Sequence, residues 1–146
     1  ESDTNTHWRL ARELEFESRL GERSKRGGKR IAIQGELVGP GIQSNRYQLE
    51  QHQLFVFNVF DLDEFAYVEK EAASQWCDEL GLTQVPYLET REVPGSIDEI
   101  LELAEGKSVL NESTEREGLV WVHGSGSERI SFKTISNKFL TRVGEK

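Results

Sequence analysis

The chain has 146 residues, 36% hydrophobic and 30% charged, with a formal net charge of −8. This predicts one globular domain, long enough to bury roughly 70% of its unfolded surface. No apolar run approaches the ~20 residues that span a bilayer, and the start ESDTNTHW lacks the basic and apolar parts of a secretory signal. The acidic excess opposes bulk attraction to nucleic acid, so contact with a phosphate backbone calls for a local basic surface or further segments.

The single cysteine, Cys77, allows no intrachain disulfide and fits a reducing, cytoplasmic setting. Within AASQWCDELG it reads as a small packing residue. His7, His52 and His123 are far apart and none pairs with a cysteine at metal-ligand spacing, which excludes a zinc site of the usual kind. The chain does not start with Met and contains none, so it reads as a piece of a longer protein.

In chain order, Thr4 or Thr6 caps a first helix, HWRLARELEFESRL, that ends at Gly21. Trp8, Leu10, Ala11 and Leu14 form its apolar stripe, read as core packing. SKRGGKR (24–30) is an exposed basic loop. A strand, RIAIQGELV, follows and breaks at GPG (39–41), where Pro40 between two glycines forces a turn. LFVFNVFDL (54–62) is almost wholly apolar and reads as a strand buried on both faces. DLDE (61–64) returns it into FAYVE as a hairpin. EKEAASQWCDELG (69–81) is a helix with Ala72, Trp76 and Leu80 on one face. VPYLE (85–89) is a short edge strand. Ser96 and Glu99 form a capping box at the start of SIDEILELAEG, and Gly106 is its left-handed stop. Residues 107–116 are polar loop, and SNKFLTR (136–142) is a short helix or turn. Helices and hairpins in this order predict an α+β fold with antiparallel pairing.

EGLVWVHGSGSERISFK (117–133) is the segment that most invites a chemical reading. A turn centred on GSGS sets Glu117 opposite Thr134 and Lys133 opposite Gly118; a shift of one residue sets the acid and the lysine directly opposite each other. Either way both lie at the open end of the hairpin. On spacing alone they make a cross-strand ion pair worth under about 1 kcal/mol. A carboxylate that holds a divalent cation beside a lysine that balances phosphate is the functional alternative. Gly118 leaves room for a close approach to the strand. Asn58 is a polar interruption in an apolar run and needs a partner, either backbone or ligand.

GELVGPGIQSN (35–45), LFVFNVFDL (54–62) and REGLVWV…SFKTISNKFL (116–140) together resemble the ATP-dependent RNA ligase family, of the phage-type and related bacterial ligases. The segments occur in the family's order over about two thirds of the chain, and NTHWRLAREL is similar to the family as well. The resemblance implies a nucleotidyltransferase (ATP-grasp-like) fold of antiparallel sheets with flanking helices, and residues 1–146 as a partial adenylylation domain lacking its N-terminal part. It implies ATP and Mg²⁺ or Mn²⁺ as cofactors, and RNA 5′-phosphate and 3′-hydroxyl ends as substrates joined through lysyl-AMP and RNA-adenylate. By this resemblance Phe57 is the aromatic that stacks on adenine, and Asn58 follows it where some relatives carry Asp. Glu36 is the acid near the ribose, Glu117 supports metal and nucleotide, and Lys133 contacts the α-phosphate. Ile135 stands where some relatives carry a second lysine. The nucleophile motif K-x-D-G is absent from these residues, and the resemblance places it upstream. That absence leaves open an inactive nucleotide- or RNA-binding module, or an α+β interaction domain in which these are surface charges.

Overall fold

The computed structural model describes residues 5–25 and 28–144. The first helical stretch forms two helices, α1 (Thr6–Glu13) and α2 (Phe16–Lys25). The α1 cap is Asn5, one residue from either threonine; its side-chain oxygen accepts from the N–H groups of His7 and Trp8 at 3.0 and 3.2 Å. The chain breaks at Glu15, whose φ of 53° is left-handed. Leu10 is buried and Leu14 packs on the core, whereas Trp8 is exposed. Gly21 does not stop the helix, which runs through it. The proposed basic loop is thereby shortened: Ser24 and Lys25 end α2, and Arg26 and Gly27 lie outside the described residues.

β1 (Ile31–Val38) pairs antiparallel with β2 (Gln53–Asp61). β2 is the centre of the main sheet. Its other edge carries β3 (Ala66–Tyr67) antiparallel at one end and β4 (Thr83–Gln84) parallel at the other. The expected antiparallel pairing holds for β1–β2 and β2–β3, and the short β4 adds one parallel pair. This pair also moves the strand forward from 85–89, because Pro86 has no N–H to extend the ladder beyond the Val85 N–H, which donates to the Val56 carbonyl at 2.9 Å.

The β1–β2 register shifts between Gln34 and Gly35, leaving Phe57 without a partner on β1. One extra residue reverses the alternation of faces along β2. Val56 and Val59, three apart, therefore both enter the core. That core joins them to Ala73, Trp76, Cys77 and Leu80 of α3 (Lys70–Leu80) and to Leu82. Leu14, Phe16, Leu20, Ile31, Ile33, Leu54 and Val68 close over it. The helix presents Ala73 and Cys77 as well as Trp76 and Leu80, and Ala72 is only half-buried. Gly81 stops it in the left-handed conformation (φ 64°). Burial raises the Cys77 thiol above its ordinary pKa, which keeps it protonated and inert.

α4 (Ile97–Ala104) starts as expected: the Ser96 hydroxyl accepts from the Glu99 N–H at 3.3 Å. Its end differs, because Gly106 has φ 130° and is not left-handed helical. The last carbonyls are capped by Arg116, which donates to those of Leu103, Ala104 (3.1 Å) and Glu105 (2.5 Å). A cation there also complements the helix dipole. β5 (Gly118–His123) and β6 (Ile130–Ile135) then form a separate two-stranded ribbon against α4, and α5 (Asn137–Gly144) follows. Ser136, fully buried, starts α5 by accepting from the Phe139 N–H at 3.1 Å.

Candidate nucleotide site

The face of β1 and β2 opposite the core carries the polar residues. Ile31 and Ile33 point to the core, so alternation turns Gln34 and Glu36 to the other side. Gln34 pairs with Asn58 there, the Asn58 amide donating to Gln34 Oε1 at 3.1 Å.

The β5–β6 register differs from both sequence alternatives. Gly118 pairs with Ile135 and Val120 with Lys133. The loop spans 124–129 rather than GSGS alone, since Gly126–Glu128 forms a 3₁₀ turn and Arg129 is drawn to Asn58. Glu117 sits one residue before β5, where its carbonyl accepts from the Ser136 N–H at 2.8 Å. Even so, the ammonium of Lys133 reaches Glu117 Oε1 and forms an ion pair. What approaches Gly118 is β6 itself: a Cβ there would lie 1.9 Å from the Thr134 carbonyl oxygen.

Two residues that sequence reasoning missed complete this cluster. Arg46, largely buried, donates to the Glu115 carbonyl at 2.6 Å and lies 3.9 Å from Glu117 Oε2. Its Cζ is 4.3 Å from the centre of the Phe139 ring. Tyr47 follows. Burial raises its hydroxyl above the usual tyrosine pKa; Arg46 lowers it, Glu36 and Glu117 raise it, and Lys133 lowers it. Three of the expected residues, Glu36, Glu117 and Lys133, thus act on one phenol from three separate segments. The loop that delivers Arg46 and Tyr47 holds Gln43, Ser44, Asn45 and Gln48 at positive φ. Strain of this kind concentrates at functional sites. GPGIQSN marked this loop in the sequence, but no local pattern identifies the next two residues as its contribution.

Phe57 and Asn58 lie further along β2. The bulge leaves the Phe57 ring 51% exposed, which corrects the expectation of a strand buried on both faces. Asn58 joins the tip of the hairpin, where Arg129 donates to its Oδ1 at 3.0 Å. No hydrogen bond or ion pair joins Phe57 or Asn58 to Glu117 or Lys133 among the described residues.

Other charged candidates are occupied in the fold. Lys29 donates to the buried Asp61 at 2.7 Å, and Arg30 to Asp63 at 2.7 Å. Lys138 lies 3.8 Å from Glu105. A cavity of about 310 Å³ lined by Leu20, Lys29, Ile31, Leu62 and Trp76 includes none of the expected site residues.

No group of three or more His, Cys, Asp or Glu converges to hold a metal among the described residues. The Glu117 carboxylate, flanked by Lys133 and Arg46, nonetheless supplies an oxygen donor of the kind a hard cation such as Mg²⁺ takes. Such an ion takes one or two carboxylates from protein and completes its shell with phosphate and water. No helix among the described residues is long and apolar enough to cross a membrane.

This α+β arrangement of antiparallel sheets with flanking helices matches the nucleotidyltransferase fold of RNA ligases. The RNA ligase family model matches residues 1–135, and the chain belongs to that family. It is similar to solved structures of Naegleria gruberi RNA ligase. A lysine-to-alanine variant with ATP and Mn is 30% identical, with a TM-score of 0.87 over 100% of this chain and 43% of that one. A glutamate-to-alanine variant with AMP and Mn gives 29% and 0.87 over 100% and 43%. The same ligase with PPi gives 29% and 0.86, again over 100% and 43%. The chain therefore spans less than half the length of these structures. No curated protein matches it.

Proposed function

We propose that this chain supplies part of the nucleotide site of a cytoplasmic ATP-dependent RNA ligase that acts in RNA repair. The intact protein would join 5′-phosphate and 3′-hydroxyl RNA ends. A lysine Nζ attacks the ATP α-phosphate, forming a P–N bond as pyrophosphate leaves. AMP then passes to the RNA 5′-phosphate, and the 3′-hydroxyl displaces it to form the phosphodiester. The nucleophilic lysine would lie on a preceding segment, since K-x-D-G does not occur in these 146 residues.

Within the site, Lys133 balances charge at the α-phosphate and Glu36 accepts from the ribose. The exposed ring of Phe57 offers a face to the base. Asn58 stands beside it. Glu117 would hold a divalent cation, Mg²⁺ or Mn²⁺, which offsets charge on the phosphates. One observation carries the reading: the Lys133 ammonium on β6 pairs with the Glu117 carboxylate, and Arg46, from a third segment, lies 3.9 Å from its other oxygen. Incubating the full-length natural polypeptide with labelled ATP and Mg²⁺ tests it. A covalent protein adenylate is expected, and its absence removes the ligase assignment.

Ile135, where some relatives carry lysine, favours a second reading, an inactive nucleotide- or RNA-binding module. It predicts nucleotide binding without adenylate formation by the same polypeptide.

A further inference from the structure

The tip of the β5–β6 hairpin carries contacts that the nucleotide site does not use. Arg129 lies in the 124–129 loop. Its guanidinium donates to Asn58 Oδ1 and to Ser131 Oγ, each at 3.0 Å, and its Cζ sits 4.3 Å from the centre of the Tyr67 ring. Beside it, Ser125 donates to Glu69 Oε1 at 2.9 Å. Asn58 in turn donates to Gln34. One guanidinium thereby ties the hairpin to β2 and β3, and through Asn58 to β1.

Two facts give this contact weight. No other strand among the described residues pairs in a backbone ladder with the hairpin, and a two-stranded ribbon has little stability or fixed direction by itself. Its base is anchored by Arg116 and Arg46; at its tip the side-chain hydrogen bonds to the rest of the fold, among the described residues, come from Arg129 and Ser125. Secondly, the Asn58 carbonyl and one of its amide hydrogens are already engaged within the protein.

We propose that Arg129 is a positioning residue. By clasping Asn58 and Tyr67 it holds the hairpin bearing Glu117 and Lys133 at a fixed separation from β2, and Asn58 acts on the nucleotide through this clasp rather than by touching it. The proposal rests on the nucleotide-site reading and reassigns one residue of it. A planar guanidinium suits the task, because its fork donates to two oxygens while its face lies on a ring; an ammonium cannot do both.

The test uses the full-length natural polypeptide. AMP and ATP affinities with Mn²⁺ are measured by calorimetry for Asn58→Ala, Arg129→Ala and the double variant. Each single change is expected to weaken binding about tenfold, as for loss of a charge-assisted hydrogen bond, and the double change no further. Asn58→Asp, which keeps an oxygen for Arg129, restores affinity; Arg129→Lys does not. Additive losses overturn the proposal, as does Arg129→Ala with unchanged affinity. Amide exchange along β5 and β6 is read in parallel without nucleotide. Equal acceleration in all three alanine variants supports the clasp, and unchanged exchange overturns it. A wild-type protein that binds neither nucleotide defeats the nucleotide-site reading alone, because exchange still decides the clasp.

Discussion

Replacing Gly118 with alanine probes the base of the hairpin, where Glu117 and Lys133 meet. A Cβ at this position would lie 1.9 Å from the Thr134 carbonyl oxygen and 2.9 Å from Ile135 Cα. Both atoms are backbone, so no side-chain rotation relieves the clash. The strands must part by roughly an ångström at the Gly118–Ile135 pair, which weakens one or two ladder hydrogen bonds at about 1 kcal/mol each. Residual overpacking adds about 1–2 kcal/mol, so Gly118→Ala should cost about 2–4 kcal/mol. For a chain of this size that lowers Tm by about 10 °C. Thermal and urea unfolding of the full-length natural polypeptide measure the loss, and amide exchange locates it in β5 and β6. An unchanged Tm would refute the reasoning, because the close approach of the strands could not then be real.

Gly21 makes the opposite case: it sits inside α2 and an added Cβ meets nothing within 4 Å. Gly21→Ala is expected to stabilise by about 0.5–1 kcal/mol, read as a higher urea midpoint. The Asp61 carboxyl titrates below its ordinary value because Lys29 donates to it, joined by the N–H groups of Glu64 and Asp63. Its contribution is complete above the unfolded pKa of about 4 and fades as pH falls through the lower folded value. Asp61→Asn should therefore lower stability at neutral pH and flatten its acid dependence, measured by urea unfolding from about pH 2 to pH 6. Lys133→Ala and Glu117→Ala should each weaken nucleotide affinity by about tenfold or more, whereas ordinary surface charges would leave it unchanged.

The parts of the fold that were legible are those set by neighbours in sequence. Ser96 and Glu99 sit three apart and cap α4; Gly81 ends α3; the run 53–61 is too apolar and β-branched to be anything but a central strand. Distant partners settled the rest. Nothing near Glu15 announces a left-handed residue between two helices, and no turn signal marks the bulge at Phe57, which depends on how β1 lies beside β2. The hairpin register followed Arg129 to Asn58, a partner 71 residues away. For the site, the resemblance named Glu36, Glu117 and Lys133 together, yet Arg46 and Tyr47 stayed hidden, because an arginine and a phenol in a loop look like any loop residues until the chain folds.

The bulge on β2 has a bearing on how this protein can change. A side chain inside a regular strand answers to the ladder, the core and any ligand at once. Phe57 has no partner opposite it on β1, and half its ring is open to solvent. Position 57 is thus largely released from the demands of folding. Substitutions there should accumulate at little expense to stability, which makes this one place on an otherwise constrained strand where ligand preference is free to drift or to be redesigned.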